Sequence, residues 1–245
     1  MQTSFHSYTL NYDNPILRGE EEKRPWELLQ IIKGLGSINK SLLDIGCGTA
    51  SKLIQIAPSF GKVIGIEPNP NMYAQAVKKI TEYDLTHVRI IEGYAHRLPV
   101  KNENFDIVTA MMSAQEVIEI YRVLKSGGYA VIETSGEQDK QFLKEFFIDY
   151  KNQPRGQLSY LPYGSIRKFY YEMFNSLFQE VTIKEGWWNS YLTWEGLVEL
   201  LTQTPIIRNF DILKDLATLE NAAETLRTDR GIRLTHHRVL IIAKK

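Results

Sequence analysis

Asp44, Gly46 and Gly48, within LLDIGCGTA (42–50), and Glu67, at the end of KVIGIE (62–67), are of types and spacing that suit ligand chemistry. Two glycines after an apolar run let a ligand approach the backbone, and a helix that follows presents free N–H groups. A dinucleotide turn carries a third glycine three residues after the second. Here that place is Ser51. An acidic residue about 20 residues beyond the glycines, at a strand end, accepts hydrogen bonds from ribose hydroxyls. Glu67 stands there, followed by a Pro-Asn-Pro that can cap a helix.

Asp44 narrows the choice of ligand. A pyrophosphate at the turn would meet its carboxylate, whereas a ligand with an ammonium there and no phosphate would not be repelled. S-adenosylmethionine is such a ligand, zwitterionic at its amino-acid end and cationic at sulfur, and it is the preferred cofactor.

The elements that must hold these residues are readable in outline. Short β-branched runs at 41–46, 62–67, 88–93, 105–110 and 129–134 predict strands. Pro25 suits a first helical position before the stripe Trp26, Leu29, Ile32 and Lys33, and Leu53, Ile54 and Ala57 share a face before Pro58. Asn69 is the expected N-cap of a helix with Pro70 in its first turn and Met72, Ala76 and Ile80 buried. Residues 140–178 read as helical, from FLKEFFIDY, and then as aromatic and loop-rich. Residues 180–188 and 236–245 read as strands and 192–204 as a helix. Strands alternating with helices, with continuous apolar runs, predict an α/β doubly wound Rossmann-like fold: a seven-stranded, mostly parallel sheet with the ligand at its carboxyl ends. The expected divisions are an N-terminal helical cap (1–40), a cofactor core (41–135), a helical and aromatic insert acting as a lid (136–180), and the C-terminal part of the sheet with a further helical segment (181–245).

Composition limits the function classes. The 245 residues are 43% hydrophobic and 24% charged, with 29 Lys plus Arg against 29 Asp plus Glu. No global field attracts nucleic acid or an anionic membrane, so neither is an expected partner. Cys47 is the single cysteine, which rules out an internal disulfide or a cysteine-built zinc site. No acidic spacing suggests a metal. With no secretory start and no membrane-length apolar run, a cytoplasmic protein, monomer or homodimer, is the expectation.

LLDIGCGTA, GIEPNPNM, IIEGYAHRLP, FDIVTA and YRVLKSGGYAVIE, in this order, resemble the successive motifs of class I S-adenosylmethionine-dependent methyltransferases. KRPWELL and LTWEGLVELLTQT are similar to segments of the trans-aconitate methyltransferase-like branch (type 11). The resemblance implies that Asp44, Gly46 and Gly48 hold the methionine part, with Cys47 contributing backbone. It places Glu67 on the ribose, Pro68 and Met72 beside the adenine, and Gly93, Tyr94 and Ala95 along the adenine edge. Ala110 and Met111 form the floor, and Arg24 pairs with the methionine carboxylate. The chain departs from the pattern at Ala50, where a glycine is usual and alanine is expected to stiffen the turn. It departs again at Tyr94, where an acid is usual, and at Gln115, where that branch has histidine. The stretch from Ala110 to YRVLKSGG is also short.

Other residues carry less. Cys47 reads as a small filler of the turn, not a nucleophile. His236 and His237, adjacent on a strand, face opposite ways. MMSAQ after FDIVTA lacks the Asn-Pro-Pro-aromatic run of base- and glutamine-modifying enzymes. His6, Tyr8, Tyr12 and Glu116 are candidate general bases. The aromatic residues Tyr160, Tyr163, Phe169, Tyr170, Tyr171, Phe174, Trp187, Trp188, Tyr191 and Trp194 point to a small organic acceptor. About two thirds of them are expected in a core, with Tyr160, Tyr163, Trp188 and Trp194 as the substrate candidates. The reading is a methyltransferase acting on an O, N or C nucleophile of a small molecule. The alternatives are a non-catalytic S-adenosylmethionine-binding regulator or partner subunit, and an NAD-dependent dehydrogenase, which Ser51 and Asp44 oppose.

Overall fold

The computed structural model describes residues 14–245. A two-residue strand β1 (Glu20–Glu21) and helix α1 (Leu28–Leu35) precede the alternating part. That part comprises β2 (Ser37–Ile45), α2 (Leu53–Ile56), β3 (Phe60–Glu67), α3 (Pro70–Glu82), β4 (Val88–Glu92), β5 (Phe105–Met111), α4 (Val117–Val123) and β6 (Leu124–Ser135). Two helices follow, α5 (Gln141–Lys144) and α6 (Ser165–Asn175), and then β7 (Glu180–Leu192), α7 (Trp194–Gln203), α8 (Ile212–Thr225), β8 (Arg227–Thr228) and β9 (Gly231–Lys244).

All these strands join one sheet in the order β4-β3-β2-β5-β6-β9-β7-β1, with β8 on β9. The pairs from β4 to β6 are parallel, and β9 is antiparallel to both β6 and β7. The chain leaves β2 towards β3 and β4, then returns to its other side as β5. This reversal makes the carboxyl ends of β2 and β5 the switch point at which doubly wound sheets bind ligands. The doubly wound class is as expected, but the described sheet has nine strands and not seven. All seven expected strands form. The extra two, β1 and β8, are two residues long, too short to show any periodicity, and they exist because tertiary contact brings them beside β7 and β9.

Side chains alternate across the sheet, so each face has its own core. On one, Leu43, Ile45, Val108, Ile132 and Ile241 pack with Val117 and Ile120 of α4 and with Phe174 of α6. On the other, Leu42, Val63, Ile107, Val131 and Leu240 pack with Leu28 and Ile32 of α1, Leu53 of α2 and Ala76 of α3. A third cluster joins Leu143 and Phe147 to Leu197 and Leu201 of α7 and Leu219 and Ala222 of α8. Helix α8 lies in a stretch that shows no element in the sequence reading, yet Asp211 caps it through Leu213 N–H, and Leu219, Ala222 and Ala223 have helical spacing.

Three local expectations are corrected. Pro25 does not open a helix: α1 starts at Leu28, and Pro25 is packed against Gly186 of β7. The helix after the glycine turn is a single turn, ended by the 3-10 segment Ala57–Ser59 that contains Pro58. FLKEFFIDY forms only the four-residue α5, because the chain folds back into a bridge between Ile148 and Pro154.

Helix α3 follows β3 directly, and Asn69 Oδ1 accepts the N–H groups of Asn71 and Met72 at 3.0 and 3.2 Å. Asn69→Ala should therefore lower stability by about 1 kcal/mol, read as a lowered urea midpoint at unchanged m-value.

Candidate cofactor and acceptor site

Asp44 and Glu67 end adjacent parallel strands, on either side of the Gly46–Gly48 turn, and both are buried. Glu67 is the hub. Its Oε2 accepts the Gly48 N–H and its Oε1 accepts the Asn69 N–H, each at 2.8 Å, so one carboxylate ties the turn to the start of α3. Burial raises the Glu67 carboxyl above its ordinary value, against the pull of those two N–H groups. Each oxygen still has acceptor capacity, which suits a pair of ribose hydroxyls.

Asp44 Oδ1 accepts the Thr109 hydroxyl at 2.7 Å, a contact set by the register that places Thr109 of β5 opposite Asp44. Burial pushes its carboxyl up to about 7, with Thr109 and Lys52 opposing and Glu67 adding to the rise. Lys52 is lowered by burial and supported by Glu133 and Asp44. Glu133, at the end of β6 beside Met111, accepts the Trp26 indole N–H at 2.7 Å. Thr109, Lys52 and Glu133 carry no signal as site residues in the sequence, and Trp26, expected on a helical stripe, lies before α1 and turns to Glu133 instead. Their place here depends on strand register, and no spacing announces it.

The glycines have separate uses. Gly46 (φ 69°) leaves no room for a side chain against Ser113, whose hydroxyl donates to the Ile45 carbonyl at 2.5 Å. Gly48 (φ 59°) has open space where a Cβ would point, which is what close approach of a ligand needs. Ala50 is also left-handed, at φ 64°, and fully buried. Alanine there does more than stiffen the turn, because a Cβ in that region costs about 1–2 kcal/mol. Met112 (φ 59°), just past β5, is a second such position at the same end of the sheet. Burial, together with Asp44 and Glu67, pushes the Cys47 thiol well up, so it is a filler and not a nucleophile. The one-turn α2 offers little dipole to a phosphate, and two carboxylates flank the turn. Both facts disfavour a pyrophosphate.

The remaining expected residues are placed as follows. Met72 is buried, Pro68 half-buried, and Gly93 closely packed against Pro99. Tyr94 is 43% exposed near His96, and Ala95 packs at the edge of the first core. The Ala110 and Met111 side chains belong to the cores on opposite faces, so a ligand there meets mainly backbone. Arg24 pairs with Glu21 at 2.7 Å and lies 5.1 Å from the Trp188 ring. Glu116 is the N-cap residue of α4 and makes no capping bond through its side chain. Tyr8, Tyr12 and His6 lie outside the described residues.

Of the ten aromatic residues, Tyr160, Tyr163, Phe169, Tyr171 and Trp187 are exposed, so the core takes fewer than expected. Trp188 is buried and stacked on His236 at 4.8 Å, while Trp194 packs against the third core. A buried polar cluster that went unnoticed in the sequence lies beside Trp188. Asp139 pairs with Lys140 at 2.9 Å and with Arg238. Burial would raise the Asp139 carboxyl, but Arg238 and Lys140 hold it well below the carboxylate range. Burial and Lys140 push His236 down to about 2, so it is neutral and exchanges a hydrogen bond with Ser190 at 2.8 Å. No described group of histidine, cysteine and acidic residues is arranged to hold a metal ion.

Residues 42–128 match a family model described as a methyltransferase domain. Demethylmenaquinone methyltransferase of Listeria monocytogenes is 36% identical over 124 residues, covering 46% of this chain and 50% of that protein. The chain thus spans about half the length of the first curated relatives it matches. Two solved structures share the fold. The YcgJ protein of Bacillus subtilis has a TM-score of 0.62 at 21% identity, over 89% of this chain and 97% of that one. The (4+2)-cyclase SpnF has a TM-score of 0.57 at 18% identity, over 93% and 87%. Residues 42–128 are thus similar to methyltransferase domains, and the chain has the fold of these solved structures. Its motifs, its switch-point carboxylates and the family match fall on the same stretch of chain.

Two outcomes test the residue roles. Glu67→Ala should lower S-adenosylmethionine affinity at least about tenfold, as expected for a charge-assisted contact of roughly 1.5–3 kcal/mol. Unchanged affinity in a folded variant would place the ribose elsewhere. An ammonium beside Asp44 favours its ionised form, so binding must expel a proton wherever the free carboxyl is protonated. Affinity should therefore fall as pH drops below about 7, by at most roughly tenfold per pH unit. Asp44→Asn should remove that slope, and calorimetry in buffers of different ionisation enthalpy checks it.

Proposed function

We propose that the chain is an S-adenosylmethionine-dependent methyltransferase whose acceptor is a small organic molecule. The observation that carries this reading is the pair of buried carboxylates, Asp44 and Glu67, bracketing an open glycine turn at the switch point. Asp44 suits the ammonium of the amino-acid end, Lys52 and Arg24 its carboxylate, and Glu67 the ribose. Bound there, the cofactor supplies an electrophilic methyl group on a sulfonium centre.

The chain's own part is to align an acceptor in line with that methyl and to exclude water. Positive charge is lost from sulfur as the methyl moves, so apolar and aromatic walls suit the transition state. The loop after β5 and the segment containing Tyr160 and Tyr163 are the parts of the chain suited to this. Gln115 donates to the Tyr170 hydroxyl at 2.5 Å, linking that loop to α6. The family match ends at residue 128, before α6 and β7, so the acceptor of the Listeria relative is not carried over. The cyclase among the fold neighbours is the reason to test transfer directly: the fold is compatible with other chemistry.

Incubation with methyl-labelled S-adenosylmethionine and a metabolite extract should label a small molecule. Tyr160→Ala and Tyr163→Ala should lower kcat/KM at least about tenfold while cofactor affinity stays within about twofold. Deuterium uptake across 156–164 should fall more with cofactor and acceptor together than with cofactor alone. Cofactor binding with no label transferred to any small molecule would instead favour a non-catalytic, cofactor-binding regulator.

A further inference from the structure

The polar cluster beside Trp188 holds more positive charge than it matches. Lys140, Lys144 and Arg238 are 5%, 3% and 8% exposed, and Asp139 is the buried carboxylate among them. Asp139 pairs with Lys140 at 2.9 Å and with Arg238. His236 is neutral, and its Nδ1 faces Lys140 Nζ and Arg238 Nη2 at 3.5 Å each, so it is an acceptor there. Glu21 also acts on Lys140, but Arg24 holds it at 2.7 Å, and the charges of that pair cancel. One buried carboxylate thus serves three buried cations.

Lys144 is the least compensated of the three. Its Nζ donates to a neutral acceptor, the Gln157 carbonyl, at 2.7 Å. Burial drops its ammonium to about 8, with Asp139 opposing and Lys140 and Arg238 adding to the fall. Neutral donors are left over as well. Among the described residues, neither the buried Trp188 Nε1 nor the Ser159 hydroxyl has a hydrogen-bond partner. A buried indole N–H usually finds one, and an unpaired buried donor costs about 1–3 kcal/mol. The Arg238 guanidinium lies 5.6 Å from the Trp188 ring. A Cβ on Gly156 would touch both Ser159 Oγ and the Lys144 stem, so these two side chains are neighbours. Surplus cationic charge beside donors that lack acceptors selects an oxyanion.

The cluster adjoins the cofactor end of the sheet. Arg238 lies opposite Ser135 at the end of β6, and β9 stands three positions from β2, about 14 Å from Asp44. Arg24 acts on both Lys52 and His236, and its guanidinium is 5.1 Å from the Trp188 ring. Residues 158–163 roof Lys144. The roof is tied at its ends, by the Gln157 N–H to the Ile206 carbonyl at 2.8 Å and by the Gly164 N–H to Glu137. Leu158 (φ 64°) and Gly164 (φ 85°) are left-handed at these ends, and Tyr160 and Tyr163 between them are exposed. The backbone bonds within the roof close only local turns, so it can swing without disturbing the sheet.

We propose that the methyl acceptor carries an oxyanion, a carboxylate or a phosphate, and that Lys144, Arg238 and the Trp188 indole N–H receive it beneath this roof. This assignment rests on the methyltransferase reading in calling the ligand an acceptor, whereas the oxyanion site is read by binding alone.

The test is a titration of the full chain with sodium butyrate and with monobutyl phosphate at pH 7 and constant ionic strength, followed by calorimetry and by the Trp188 indole resonance. Butan-1-ol serves as the neutral counterpart. Saturable binding of at least one anion is expected, with the alcohol at least about tenfold weaker, and the tighter anion identifies the group. Lys144→Gln keeps a donor for the Gln157 carbonyl and removes the charge. It should weaken anion binding at least about tenfold while S-adenosylmethionine affinity stays within about twofold. Trp188→Phe keeps a ring on His236 and removes the N–H, and it should weaken anion binding likewise should the first variant not fold. Absence of saturable anion binding, equal binding of anion and alcohol, or unchanged affinity in the folded variants would overturn the proposal. Anion binding as expected, with no methyl transfer from S-adenosylmethionine, would count against the transferase reading and support the oxyanion site.

Discussion

The Glu67 carboxylate organises the cofactor end of the molecule. By accepting the Gly48 and Asn69 N–H groups it closes the glycine turn onto the end of β3 and aligns the first turn of α3. Such an acceptor is strong because it is charged, and it holds two backbone segments that the sheet alone leaves independent. The left-handed Gly48 and Ala50 lie in the turn it closes. Burial that makes the carboxylate costly to ionise also strengthens each bond it makes. A ligand with hydroxyls then meets a fixed pair of acceptors, not a mobile side chain.

Asp44 works by a different balance. It sits deeper, with a hydroxyl partner and with Lys52 as the opposing charge, and its carboxyl lies near neutrality. An ammonium arriving there replaces solvent as the group that stabilises the anion. The turn therefore discriminates between ligands by charge: two carboxylates flank it, and the helix behind it is one turn long. That combination separates this site from a phosphate-binding turn more firmly than the missing third glycine does.

The antiparallel half of the sheet has a distinct electrostatic character. Strand β9 sends His236 to one face and His237 to the other, each stacked on a tryptophan of β7. On the His236 face, Asp139 is surrounded by Lys140 and Arg238, and the imidazole is neutral. On the His237 face, the carboxylates of Glu137 and Glu185 act on the ring, Glu185 Oε1 at 3.4 Å from Nε2. Two environments of opposite charge thus lie a strand thickness apart, beside the carboxyl ends of the parallel strands. The family match, which ends at residue 128, does not reach this region.

The cofactor half was legible in the sequence because its determinants are local. β-branched runs make the strands, Asn69 and Pro70 start α3, and Gly46 and Gly48 follow the run that becomes β2. Asp44 and Glu67 fall at strand ends by spacing alone. Contacts between distant segments were not legible. Thr109 meets Asp44 across 65 positions through register, Trp26 meets Glu133 across 107, and His237 Nδ1 meets the Gln138 N–H across 99. Strands β1 and β8 are too short for a periodic signal, and FLKEFFIDY stops after one turn because the chain doubles back at Ile148 and Pro154. Local pattern determines which segments become strands and helices and where the glycine turn lies. Only the packed sheet decides which charges are buried together, because burial and register belong to the whole chain and not to any window of it.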